Sequence, residues 1–250
     1  MTITSGTVLL TFLVFCRIGA CLMVMPGFGS PRIPVQVRLF LAVSTTLVLA
    51  PMVTPELEGD LGNAAPPVVL QLVASETLIG ATIGIMARIF FLALQFMGTA
   101  AAMLSGFGGM PDNAIDEGEP SAALANFLTL TATVLLFVTG LHFEVLRALV
   151  TSYSVLPVSE LFDPRFALGR VTDAASESFF LIARLTAPFL VFSLIINFLS
   201  GILNKMTPTI PVYFIVMPFV VAGGLFILYF TIGEVLTLFL SGFQSFLANG

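Results

Sequence analysis

Residues 68–104 read VVLQLVASETLIGATIGIMARIFFLALQFMGTAAAML, with no proline and only two charged side chains, Glu76 and Arg88. As one α-helix this stretch would be about 55 Å long at 1.5 Å per residue. The hydrocarbon core of a bilayer is only about 30 Å thick. The stretch must therefore break, near Gly98, or continue as a helix too long for simple burial in lipid. The unbroken apolar run favours a long helix that partly protrudes from the membrane. Five further apolar stretches, 8–25, 35–53, 123–143, 179–203 and 212–240, repeat the pattern. Backbone N–H and C=O groups find no water in lipid, so such stretches must satisfy them internally as helices. The alternation of a membrane β-barrel is absent. The expected fold is all-α, with about six apolar segments arranged as long helical hairpins.

Composition supports this reading. The chain of 250 residues is 58% hydrophobic and 9% charged, against about 25% charged in soluble domains. Its mean hydropathy of +1.08 excludes a soluble globule with one core. No interval between apolar stretches is long enough for a separate soluble domain; the longest, 144–178, has room for a short helix and turns. The net charge of −5 comes with no basic patch, which argues against nucleic acid as a partner. The first stretch lacks a basic leader and is interrupted by Arg17, so it reads as a retained helix rather than a cleaved signal.

The connections carry their own signals. Residues 25–34 (MPGFGSPRIP) hold three prolines and two glycines, which end any helix there. Residues 54–67 are acidic and close on Pro66-Pro67. Residues 105–122 begin with a glycine-rich run and continue through Asp112, Asp116, Glu117 and Glu119. Lys and Arg occur in the first loop (Arg32, Arg38) and the fifth (Lys205) but not in the second or third, which fits an N-out, C-out topology.

Charged groups inside apolar segments are costly and mark function or packing. They are Arg17, Arg38, Glu76, Arg88, Arg184 and Glu234. Glu76 and Arg88 lie twelve residues apart, over three helical turns, so each needs a partner on another helix. The functional reading is an ion or proton path; the structural one is interhelical ion pairs that fix packing, or snorkelling at helix ends. Gln95 and Asn197 read as hydrogen-bonding glue between helices. Gly80 and Gly84 form a small-xxx-small step, and Gly223 with Gly224 offers a second small-residue site; either would serve packing within the chain or in an assembly. Cys16 and Cys21 read as small buried side chains. His142 is the only histidine, so a multi-histidine metal site is excluded and no cofactor is expected. No HExxH, GxSxG or P-loop pattern occurs. A serine–lysine dyad through Lys205 has no supporting spacing.

The stretch from Arg17 to Pro51 resembles the start of the FliR family of flagellar biosynthetic proteins, called SctT in injectisomes. The residues that carry the resemblance are Arg17-Ile18-Gly19, Pro26-Gly27-Phe28-Gly29, Ile33-Pro34-Val35-Gln36-Val37-Arg38 and Leu49-Ala50-Pro51. It continues through Glu76, Gly80, Gly84, Gln95, Gly98, Gly106-Phe107, Ser152-Tyr153, Pro157, Ala187-Pro188, Pro208, Pro218 and Gly224. The chain departs from the family pattern at Met110-Pro111-Asp112, at His142-Phe143 and at Pro208-Thr209-Ile210-Pro211-Val212.

The resemblance implies a non-enzymatic subunit of a type III export gate. It implies a FliP-like part over 1–178, with a plug loop at about 105–122, and a FliQ-like C-terminal hairpin over 179–250. The implied partners are FliP-like and FliQ-like subunits, FlhB-like and FlhA-like proteins, and unfolded export substrates. The implied location is the bacterial inner membrane at the flagellar basal body, with the gate projecting toward the periplasm. Gly106, Phe107, Gly108, Gly109, Met110 and Pro111 match the family's plug position. Two other readings are a stand-alone small-molecule or ion transporter and an intramembrane enzyme. The first lacks the internal repeat such transporters show, and the second lacks a motif.

Overall fold

A computed structural model describes residues 5–30, 33–53, 65–106, 123–158, 161–207, 209 and 211–249. Seven α-helices and no strand occur among the described residues. They are α1 (Ser5–Val24), α2 (Val35–Val53), α3 (Pro66–Leu104), α4 (Ala123–Val138), α5 (Leu141–Val155), α6 (Pro164–Met206) and α7 (Val212–Asn249). The all-α expectation holds. Helices α1, α2, α3, α6 and α7 are each long and apolar enough to cross a membrane, and the broken pair α4–α5 would make a sixth span.

Helix α3 runs 39 residues without a break, the alternative that the uninterrupted apolar run favours over a break near Gly98. Two sequence expectations need correction. The apolar stretch 123–143 is not one element. Gly140 adopts φ 75° and separates α4 from α5, a left-handed conformation that costs an L-residue about 1–2 kcal/mol. Hydropathy is blind to that dihedral. The polar interval 144–178 is also mostly helical, because α5 fills its first part and α6 begins at Pro164. Pro164 starts α6 where its missing N–H costs nothing, and the Asp163 carboxylate accepts the Arg165 N–H at 2.9 Å. Replacing Gly140 by alanine meets only Phe143 at 3.8 Å, so the cost is conformational. We expect a loss of about 1 kcal/mol, visible as a lowered thermal unfolding midpoint in detergent.

The chain forms two compact units. The first contains residues 1–90, 137–175 and 244–250. Its core is Leu13, Val14, Ile18 and Leu22 of α1 with Ala42, Ala50 and Val53 of α2, Leu72 of α3, Tyr153 of α5 and Val158. Gly19 of α1 faces Ala42 of α2, where an added Cβ would be in ordinary van der Waals contact at 4.0 Å. The turn after α1 explains its own sequence. Gly27 takes φ 87°, and a Cβ on Gly29 would collide with the carbonyl oxygen of Met23. Both glycines of Pro26-Gly27-Phe28-Gly29 are therefore needed for backbone reasons.

The second unit contains residues 91–136 and 176–243. A Cβ on Gly98 would lie 2.7 Å from the Ala125 Cα, so the glycine at which α3 might have broken is instead where α4 comes close. Leu128, Ala132 and Leu136 of α4, Phe189 of α6, and Phe239 and Phe243 of α7 are buried. Phe91 meets Phe239 and Phe243 edge-on, with ring centroids 5.2 and 5.9 Å away. On α6 and α7 much apolar surface stays uncovered. Only 6% of the apolar window of α7 is buried, against 50% for α3, and Phe198, Phe214, Phe219, Phe226 and Phe230 are exposed.

Candidate functional site

Arg17 sits near the middle of α1 and is fully buried, 0% exposed, as is Glu76 of α3. An arginine without a partner in such a setting would carry a desolvation cost of several kcal/mol. The first unit answers it with a dense set of acceptors. Arg17 Nε donates to Glu76 Oε2 at 2.6 Å and Nη2 to Glu76 Oε1 at 2.8 Å. This is the two-pronged geometry that a planar guanidinium and a carboxylate favour. Nη2 also donates to the Leu156 carbonyl oxygen at 2.9 Å, and Nη1 donates to Ser152 Oγ at 3.1 Å. Ser152 Oγ in turn donates to the Leu149 carbonyl at 2.6 Å. The guanidinium carbon lies 3.9 Å from the centroid of the Tyr153 ring, within cation–π range.

The positions follow from local structure. Leu156 is the C-cap of α5, and its carbonyl is one of the acceptors a helix end leaves unsatisfied. A cation there also meets the negative end of the helix dipole. Arg17 thus joins three segments: its own helix, α3 through Glu76, and the C-terminal end of α5. Ser75, next to Glu76, adds a fourth tie, because its Oγ accepts the Phe162 N–H at 2.7 Å. The segment leaving α5 is thereby fastened to α1 at Leu156 and to α3 at Phe162.

Close backbone approach makes this reach possible. A Cβ on Gly80 would overlap the carbonyl oxygen of Arg17, and one on Gly84 would lie 2.8 Å from the Cys21 carbonyl oxygen. The small-xxx-small step of α3 is therefore seated directly on the backbone of α1, within the chain. In the second unit a Cβ on Gly224 would overlap the Ser105 side chain, and one on Gly223 would lie 2.5 Å from the Phe192 ring. These glycines bring α7 against the end of α3 and against α6.

The other charged residues behave differently. Arg88, Arg184 and Glu234 are exposed and have no ion-pair partner among the described residues. Arg38 is half-buried, with no hydrogen-bond partner for its Nε among the described residues. Within the chain Asn197 bonds along its own helix: its Nδ2 donates to Ser193 Oγ one turn earlier on α6, at 3.1 Å. Cys16 and Cys21 are free thiols. No group of three or more potential metal ligands occurs among the described residues. Of the glycine-rich run, Gly106 has φ 79°, while Phe107, Gly108, Gly109, Met110 and Pro111 lie outside the described residues.

Sequence reasoning identified Arg17 and Glu76 as charges in need of partners on other helices but did not join them. Ser152 and Tyr153 stood out only through the resemblance. The Leu156 carbonyl has no sequence signature, because any residue supplies one.

Residues 8–246 match the family described as bacterial export proteins, family 1. The chain is 33% identical to the flagellar biosynthetic protein FliR of Caulobacter vibrioides over 90% of its own length and 89% of that protein. It is 26% identical to FliR of Aquifex aeolicus, over 98% and 93% of the two chains. With FliR of Escherichia coli it shares 25% identity over 86% and 81%. A match across nearly the whole chain leaves one assignment: this protein is a member of the bacterial export proteins, family 1.

Proposed function

We propose that the chain is an inner-membrane subunit of the flagellar protein export apparatus. In this reading it helps form the gate through which unfolded flagellar subunits leave the cytoplasm. The observation that carries the proposal is the family match over residues 8–246, together with relatives named flagellar biosynthetic protein FliR. The chain has no catalytic step in this reading. It assembles with FliP-like and FliQ-like subunits, in contact with FlhB-like and FlhA-like proteins, and the gate rises toward the periplasm.

Physical features support a role in an assembly. The aromatic-rich faces of α6 and α7 are too extensive for a monomer in water, and they suit neighbouring helices or lipid. Arg184 and Glu234 on those helices have no ion-pair partner among the described residues, and suit opposite charges or water supplied by an assembly.

Co-expression with FliP-like and FliQ-like chains, followed by native mass measurement, tests the reading. We expect a discrete hetero-oligomer with one copy of this chain. A stable, monodisperse species of the chain alone, indifferent to those partners, overturns it in favour of an independent transporter.

Gating is assigned to residues 106–111. An extended chain must pass while ions are held back at rest, and apolar constrictions do this by dewetting. Phe107 and Met110 supply apolar tips, and Gly106, Gly108 and Gly109 supply backbone freedom. Deleting residues 106–111 is expected to raise ion conductance through the assembled gate in a bilayer. Unchanged conductance refutes the plug.

A further inference from the structure

Glu234 is the only acidic or basic side chain among the 38 residues of α7. It stands twenty-two residues after Val212 and fifteen before Asn249, about 33 and 22 Å from the two ends at 1.5 Å per residue. A glutamate side chain is too short to snorkel that far. It is exposed, and no basic side chain pairs with it among the described residues. We propose that this face of α7 receives an apolar helix of a different subunit, which brings one lysine or arginine to the Glu234 carboxylate. The inference rests on the assembly reading above, in which the gate holds one copy of this chain, so the base comes from another subunit.

The neighbours of Glu234 define what can dock there. Phe226 and Phe230 precede it at four-residue steps and share its side of the helix. They are 65% and 64% exposed, with ring centroids 4.7 Å apart. Gly233 and Thr237 are also exposed, and a Cβ on Gly233 would meet nothing within 4 Å. Glu234 therefore lies between an aromatic pair and a small-xxx-small step with open space before it. Such a step lets a second helix come close.

No single solvent fits this face. Water would solvate the carboxylate but leave the two phenylalanines wet. Lipid would cover the phenylalanines but leave a charge in hydrocarbon. An apolar helix with one basic side chain meets both demands, and the low dielectric around the pair strengthens its attraction. The pair also sets register, because a charge at one point of an apolar seam penalises sliding of the partner helix. Its role differs from that of Arg17 and Glu76, which meet inside the chain with both side chains 0% exposed.

The test uses the full-length chain co-expressed with FliP-like and FliQ-like chains, with the purified complexes weighed by native mass spectrometry. Glu234→Leu and Glu234→Lys should leave the helicity of the isolated chain unchanged by circular dichroism, since Glu234 has no ion-pair partner there. Glu234→Leu is expected to raise the concentration at which the hetero-oligomer half dissociates by at least about tenfold, because the partner's base is left unpaired. Glu234→Lys should abolish assembly, and replacing one lysine or arginine in an apolar helix of a partner chain by glutamate should restore it. If lipid covers the face, Glu234→Leu assembles as well as the wild type or better. If a second copy covers it, the chain alone is a dimer that Glu234→Lys breaks. Either result overturns the proposal, as does the lack of any rescuing charge reversal, while the assembly reading stands wherever the wild-type hetero-oligomer forms. No hetero-oligomer from the wild-type chains overturns both.

Discussion

Glu76→Ala is expected to destabilise the protein by about 3–5 kcal/mol, because it leaves the buried guanidinium of Arg17 without its counter-ion. That is a large share of a typical folding free energy of about 5–15 kcal/mol. Glu76 accepts two of the guanidinium's hydrogen bonds, at 2.6 and 2.8 Å, and both side chains are 0% exposed. The loss should appear as a lower unfolding midpoint in detergent, faster proteolysis and reduced accumulation in the membrane. Arg17→Lys should rescue little, since an ammonium cannot reproduce the planar fork that reaches Glu76, Ser152 and Leu156 together. Replacing both partners, as in Arg17→Met with Glu76→Leu, removes the buried charges as a pair and should recover much of the stability. Equal destabilisation by the single and double variants would show that the pair's charges are not what the fold depends on.

Gly80→Ala should destabilise by about 1–3 kcal/mol, the range for overpacking a tight contact, although alanine is the better helix former. The added Cβ would overlap the Arg17 carbonyl oxygen and lie 2.8 Å from its carbon. Those are backbone atoms, so no rotamer change relieves the clash; α1 as a whole must move away from α3. Moving α1 also draws the guanidinium from Glu76, so the two variants should be less than additive. Gly169 and Gly201 on α6 are the controls, because a Cβ at either meets nothing within 4 Å. Alanine there should be neutral or stabilising by up to about 1 kcal/mol. A Gly80→Ala protein as stable as these controls would mean that α1 and α3 are not closely apposed.

The apolar runs and prolines made the helices legible, down to the continuity of α3 through Gly98. Hydropathy could not place the break at Gly140, which rests on a backbone dihedral. Nor could it register the helical nature of 144–178, where Glu144 and Arg147 dilute the apolar signal. The small-xxx-small step was visible at Gly80 and Gly84, but its partner was not. A glycine announces that something comes close, not what. The Arg17 cluster was half legible for a similar reason. Burial of charge demands partners, yet the choice of Glu76 among the remaining acidic residues depends on which helices adjoin. The Leu156 carbonyl has no sequence signature at all.

Synthesis of the chain runs from α1 onward, and the Arg17 cluster sets a schedule for it. Arg17 is 59 residues ahead of Glu76 and 135 ahead of Ser152. At about 5–20 residues per second, the guanidinium waits several seconds for its carboxylate and longer for the end of α5. During that interval a single arginine inside a nascent apolar segment opposes membrane insertion by about 2.5–3.5 kcal/mol. The arginine of α1 is therefore expected to be fully partnered only once α3 and the end of α5 have been made.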